Sequence, residues 1–244
     1  MACYSVPEVA VQGAMLTLYQ ERFGHRPAYP TPVHQAAADA VIDYWATDER
    51  VQAILLLNSC ARGHAVPESC LDMAILVAPD DHAGMLREAW PAFERFLQTD
   101  PASAALSASV PWGAVEADLI SGVYQPADHG FTSGSDAYEL EIGNHIAWSH
   151  PLLVNGCRWN ALQRAYLPYY DEVRRQARLA STLRFARNNL DHVMPFARRA
   201  LLFQARRRLH LATDEYLQAL FISRRVYPIA YDKWIREQIV EHLG

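Results

Sequence analysis

The chain has 244 residues, enough to bury a full core as one large domain or two modest ones. Half of the residues are hydrophobic and a fifth are charged, as in an ordinary globular protein, and no apolar run approaches the roughly 20 residues that cross a bilayer. The net charge of −5 hides an asymmetry: Met1–Gly156 carries 6 basic and 19 acidic residues, whereas Cys157–Gly244 carries 16 basic and 8 acidic ones.

Two lobes of opposite field would favour a cation in the first and phosphate in the second; solvated Arg-rich helix faces late in the chain are the plainer alternative. The N-terminus, MACYSVPEVAVQGAML, lacks a basic start followed by an apolar core, so no signal peptide is read there. Cys3, Cys60, Cys70 and Cys157 show neither a metal-ligand spacing nor a dense disulfide pattern, and a cytoplasmic location is expected.

In chain order, Val9, Met15, Leu16 and Tyr19 predict a helix within Val6–Phe23, and the Pro-rich Arg26–His34 predicts a connector. A second helix fits His34–Trp45. The short apolar run Val51–Ser59 predicts a buried strand, the region of Gly63 and Pro67 a loop, and Leu71–Ala78 a second strand. Asp80–Gln98 reads as an amphipathic helix that Pro91 should kink or divide.

Ala104–Val110 and Trp112–Tyr124 are candidate strands, with a reversal or bulge at Pro111–Gly113. Gln125–Asp136 is expected to be loop, and Tyr138–Trp148 is ambiguous between strand and short helix. From about Ala161 only helical periodicity remains, over Asp171–Leu190, Pro195–Leu211, Thr213–Val226 and Ile229–Leu243, with Asp191 and Thr213 as starts and Pro195 and Pro228 in first turns. The expected class is α+β. A mixed sheet with flanking helices fills 1–155, and a C-terminal helical bundle fills 156–244.

The stretch Asn58–Val77, NSCARGHAVPESCLDMAILV, carries the chemistry. A tight turn at Asn58–Ser59 would present backbone N–H groups and the Ser59 hydroxyl to phosphate, with Arg62 adding a charge-assisted contact. Strand alternation puts Cys70 and Asp72 on one face, roughly 6–7 Å apart. In VEADLI, Val115–Ile120, Glu116 and Asp118 share a face in the same way. Acids from two neighbouring strands can hold divalent metal for in-line displacement at phosphorus, although a solvent-facing edge strand would show the same pattern.

This layout resembles the nucleotidyltransferase superfamily that includes DNA polymerase β and the antibiotic-modifying nucleotidyltransferases. There a strand ends in Gly-Ser, and a common bacterial form continues x-Ala-Arg-Gly, six or so variable residues, Ser-Asp-x-Asp and an apolar strand. In this chain Ser59, Ala61, Arg62, Gly63, Ser69 and Asp72 match. Asn58 replaces the glycine, and Cys70 stands at the first metal-binding aspartate.

The family's third acid implies Asp118, with Glu116 second. A further likeness in YPIAYDKWIREQ, Tyr227–Gln238, puts Lys233 where such proteins have a lysine that reaches the nucleotide phosphates.

The resemblance implies Mg²⁺-dependent transfer of NMP from an NTP, ATP first, to a hydroxyl of a small, aminoglycoside-like acceptor. Asp72, Asp118 and Glu116 would hold metal, and Asn58, Ser59, Arg62, Gly63 and Lys233 would bind nucleotide. Cys70 weakens that expectation, because thiol sulfur is a poor ligand for Mg²⁺. A catalytically impaired nucleotide-binding or interaction module is the alternative. The histidines form no HExxH pair, and Arg206–Arg208 without interleaved aromatics reads as a solvated helix face, so neither nucleic acid nor membrane is expected as a partner.

Overall fold

The structure is a computed structural model that describes residues 28–110, 115–126, 137–169 and 171–244. The expected helix at Val6–Phe23, the reversal at Pro111–Gly113 and most of the expected loop at Gln125–Asp136 lie outside these residues. The fold is α+β. It has a four-stranded mixed sheet with flanking helices and a C-terminal helical region.

The first described helix, α1 (Pro32–Trp45), starts where Thr31 caps it and Pro32 occupies its first turn. Strand β1 (Val51–Leu56) follows, then the one-turn helix α2 (Asn58–Arg62) and strand β2 (Leu71–Val77). The expected strand end at Asn58–Ser59 is therefore helical. Asn58 takes φ 49°, a left-handed conformation that asparagine tolerates better than most residues, and Gly63 closes α2 at φ 75°.

Pro91 divides the next helical run as expected, into α3 (Pro79–Glu88) and α4 (Trp90–Thr99). The candidate strand at Ala104–Val110 is instead helix α5 (Pro101–Ser109). Asp100 accepts the Ser103 N–H at 2.8 Å, and Pro101 sits in the first turn, so capping outweighs the short apolar run.

Strand β3 (Val115–Ile120) completes the parallel pair with β2. Helix α6 (Ala137–Ile142) runs on into a π-helical turn, Gly143–Ala147, which resolves the ambiguous segment as helix. Strand β4 (His150–Val154) pairs antiparallel with β1 and has no counterpart among the expected strands. Three helices follow: α7 (Arg158–Tyr166), α8 (Glu172–Arg198) and α9 (Leu202–Arg224); a short turn of helix, Ile235–Glu237, ends the fold and continues as a π-helical turn to His242.

Two expected helix starts are corrected. Asp191, with Pro195 after it, lies inside α8, and Thr213 lies inside α9, where its hydroxyl donates back to the Leu209 carbonyl instead of capping a new helix.

Sheet order is β3-β2-β1-β4, with β1 antiparallel to both of its neighbours. Odd-numbered residues of β2, Leu71 to Val77, enter a core with Trp45, Phe93 and Leu106 of α1, α4 and α5. The chain divides into two compact units. Unit 1 holds the described residues up to Val123 together with Asn144–Leu167, and unit 2 holds those of Tyr124–Gly143 and Pro168–Gly244. An expected boundary at 155/156 would fall between β4 and α7, both inside unit 1, because β4 pairs with β1 and α7 packs on it.

Candidate metal centre

Parallel pairing places Asp72 beside Glu116 and Ala74 beside Asp118, so the acids of β2 and β3 share the sheet face opposite the main core. Ligand atoms of Cys70, Asp72 and Glu116 all lie within 4.8 Å of one another. Asp72 is buried, Cys70 is half-buried, and Glu116 and Asp118 are exposed on the edge strand. Glu116 stands level with Asp72, and Asp118 lies one step further along the same face, because the register aligns 72 with 116.

The strand that carries the cluster is pinned at its start. The Cys70 thiol donates to both carboxylate oxygens of Asp72, at 3.4 Å each. The Leu57 N–H donates to the Asp72 carbonyl at 2.8 Å, fastening β1's exit to β2's entry. Buried His34 donates from Nε2 to the Ser69 carbonyl at 2.8 Å, while its Nδ1 accepts from Thr31 at 2.7 Å. A carbonyl only accepts, so this contact sets the tautomer. His34 is a positioning residue that the local sequence did not single out: its partner is 35 residues away, and only the fold joins them.

No family model, curated protein or solved structure matches the chain.

The Cys70 thiol is pushed up to about 12, first by burial, then by the Asp72 charge and hydrogen bond, with Glu116 adding to it. At neutral pH and without a bound cation it is a protonated donor to Asp72. Cys60 is fully buried and also pushed up to about 12, chiefly by burial, which makes it a core side chain. A buried carboxylate with a second one beside it suits a hard divalent cation, since Asp72 and Glu116 supply oxygen. Cys70 does not, so the donor set fits one such ion better than two. His145, half-buried in the same unit, has its pKa lowered by burial while the charge of Asp118 pulls it upward.

The remaining expected residues are placed as follows. Asn58 and Ser59 open α2, whose first N–H groups have no acceptor within the helix, and Ser59 is buried. Arg62 is buried at the other end of α2, beside Gly63, and is not an exposed arm. Lys233 belongs to unit 2, exposed in the turn before the final helix, with its carbonyl accepting from Gln238 at 3.0 Å.

Proposed function

We propose that the chain transfers a nucleoside monophosphate from an NTP, ATP first, to a hydroxyl of a small acceptor. Asp72 and Glu116 would hold a divalent cation, Mg²⁺ or Mn²⁺, which when bound supplies charge neutralisation at the phosphoryl oxygens. The single observation that carries this reading is the side-by-side register of Asp72, at the entry of β2 in the segment β1, α2 and β2, with Glu116 of the neighbouring strand β3. In that segment the first backbone N–H groups of α2 would be the donors to phosphate oxygens. The acid on the buried strand and the acid on the edge strand divide the work between them. Asp72 is held in place by Cys70 and Leu57, and Glu116 stays accessible to an entering ion.

A second reading has its own observation. Cys70 spends its thiol proton on Asp72 where an oxygen donor would complete a second cation site, which favours nucleotide binding without turnover. Calorimetry with ATP plus Mg²⁺ or Mn²⁺ should give saturable heat under either reading, and Asp72→Asn should remove it. Absence of heat with both metals sinks both. Pyrophosphate release over a panel of hydroxylated acceptors then separates them, since only the transferase yields acceptor-dependent product.

A further inference from the structure

From His192 to Thr213 the chain carries five arginines and no carboxylate. This stretch ends α8, turns through Ala200 at φ 57° and opens α9. Arg206–Arg208 in its middle reads as a solvated helix face, and the structure gives two of the three another setting. Gln204, Arg207, Arg208 and Leu211 of α9, with Phe196 of α8, line a cleft of about 240 Å³. Positions 204, 207, 208 and 211 follow the i, i+3, i+4, i+7 spacing of one helix face. A face turned toward a neighbouring helix is ordinarily apolar at such positions, yet here two carry guanidinium groups and one an amide.

Arg208 is held from beneath. It is half-buried, and its Nη1 donates at 2.7 Å to the Oδ1 of Asn189, itself 2% exposed. That partner is a neutral amide, so the guanidinium is fixed in place with its charge unneutralised. The side chains of Arg207 and Gln204 make no hydrogen bond or ion pair among the described residues. No carboxylate there answers the two charges. Asp191 stands two residues from Asn189, off the face of α8 that meets α9, and Asp214, three residues beyond Leu211, faces His210 at 3.7 Å. Like charges lining one cleft repel, and a bound anion relieves that repulsion.

Size and donor geometry define the anion. The cleft is smaller than the roughly 300–1,000 Å³ that drug-sized ligands occupy, which leaves room for a phosphate on a short stem. One guanidinium fork satisfies a carboxylate. A phosphate monoester has three terminal oxygens and close to two negative charges, enough for Arg207, Arg208 and the Gln204 amide together. Gln204 is also the third residue of the 23-residue α9, whose N-terminal dipole adds to the attraction. Phe196 and Leu211 give the stem an apolar wall. We propose that this cleft, which lies wholly in unit 2, binds a phosphate monoester and shares no residue with the candidate metal centre of unit 1.

Calorimetry of the full chain against glycerol 3-phosphate tests it, in metal-free buffer so that the acids of unit 1 hold no cation. Saturable heat is expected, and Arg207→Gln should weaken affinity about tenfold or more, the factor that losing one charge-assisted hydrogen bond brings. Arg207 is exposed, so that variant should keep the native far-UV circular dichroism; should it not, Gln204→Ala, also exposed, replaces it with an expected loss in the same direction. Absence of heat at millimolar ester overturns the proposal. So does an affinity that Arg207→Gln leaves unchanged, or one that a folded Asp72→Asn variant has lost. A soluble ester and a phospholipid headgroup share this chemistry, and phosphatidylcholine vesicles doped with phosphatidic acid separate them. Co-sedimentation that Arg207→Gln abolishes makes the ester a lipid headgroup, and no co-sedimentation beside intact heat makes it a soluble one.

Discussion

Cys70 sits 3.4 Å from both oxygens of Asp72, so it acts on the site through that carboxylate as much as through its own sulfur. Replacing it by aspartate supplies the oxygen donor that the cation lacks. Under the second reading above, Cys70→Asp should raise acceptor-dependent pyrophosphate release by at least tenfold, whereas under the first it should leave turnover unchanged or lower it. A steady-state assay at saturating Mg-ATP decides. Glu215 belongs to the same scale. It is 1% exposed, neither carboxylate oxygen has a hydrogen-bond partner among the described residues, and burial pushes it up to about 8 against the opposing charge of Arg178.

Because the folded-state value exceeds the unfolded one, the folded chain binds this proton more tightly, and stability falls as pH rises from about 4.5 toward 8. Glu215→Gln keeps the shape without the charge. Its melting temperature should exceed the native protein's by a margin that widens between pH 5 and pH 8. An equal margin at both ends would refute the assignment.

At the scale of elements, the turn from β1 into β2 depends on two left-handed residues. Gly63→Ala places a Cβ at φ 75° and should cost about 1 kcal/mol in chemical denaturation, while Asn58→Gly should be neutral or slightly stabilising. The π-helical turn after α6 depends on another glycine for a different reason: a Cβ on Gly143 would lie 1.8 Å from the Pro228 carbonyl oxygen. Backbone must move to admit it, so Gly143→Ala should cost about 1–3 kcal/mol by the same measurement. Register is the other property of elements that matters here. A one-residue slip of β3 against β2 would turn Glu116 and Asp118 into the core and set Val115 or Ala117 beside Asp72, so burial of Val115, Ala117 and Leu119 against the core holds the acids where they are.

For the whole molecule, the two units are compact bodies joined by chain that leaves unit 1 at Val123, returns at Asn144 and leaves again after Leu167. If nucleotide binds at β1–α2–β2, ligand at a hundred times its dissociation constant should stabilise the protein by about 2.7 kcal/mol. Hydrogen exchange should then slow first in Val51–Val77. Protection confined to unit 2 would contradict the proposed site.

Much of this was legible along the chain. A short apolar run predicted β2 and alternation β3, the shared-face spacing of residues 70, 72, 116 and 118 was readable from a period of two, and Pro91 announced the break between α3 and α4. These are local properties, set by side-chain direction and backbone sterics within a few residues. Other features were not legible. Strand β4 is five residues long and is recognised as a strand by its pairing with β1, about a hundred residues earlier. Helix α5 won over strand through its cap at Asp100. That Glu116 and not Asp118 stands beside Asp72, and that His34 clamps Ser69, follow from how separate elements pack. Sequence periodicity decides which face a residue takes, but only tertiary burial decides which residue on the next strand it meets.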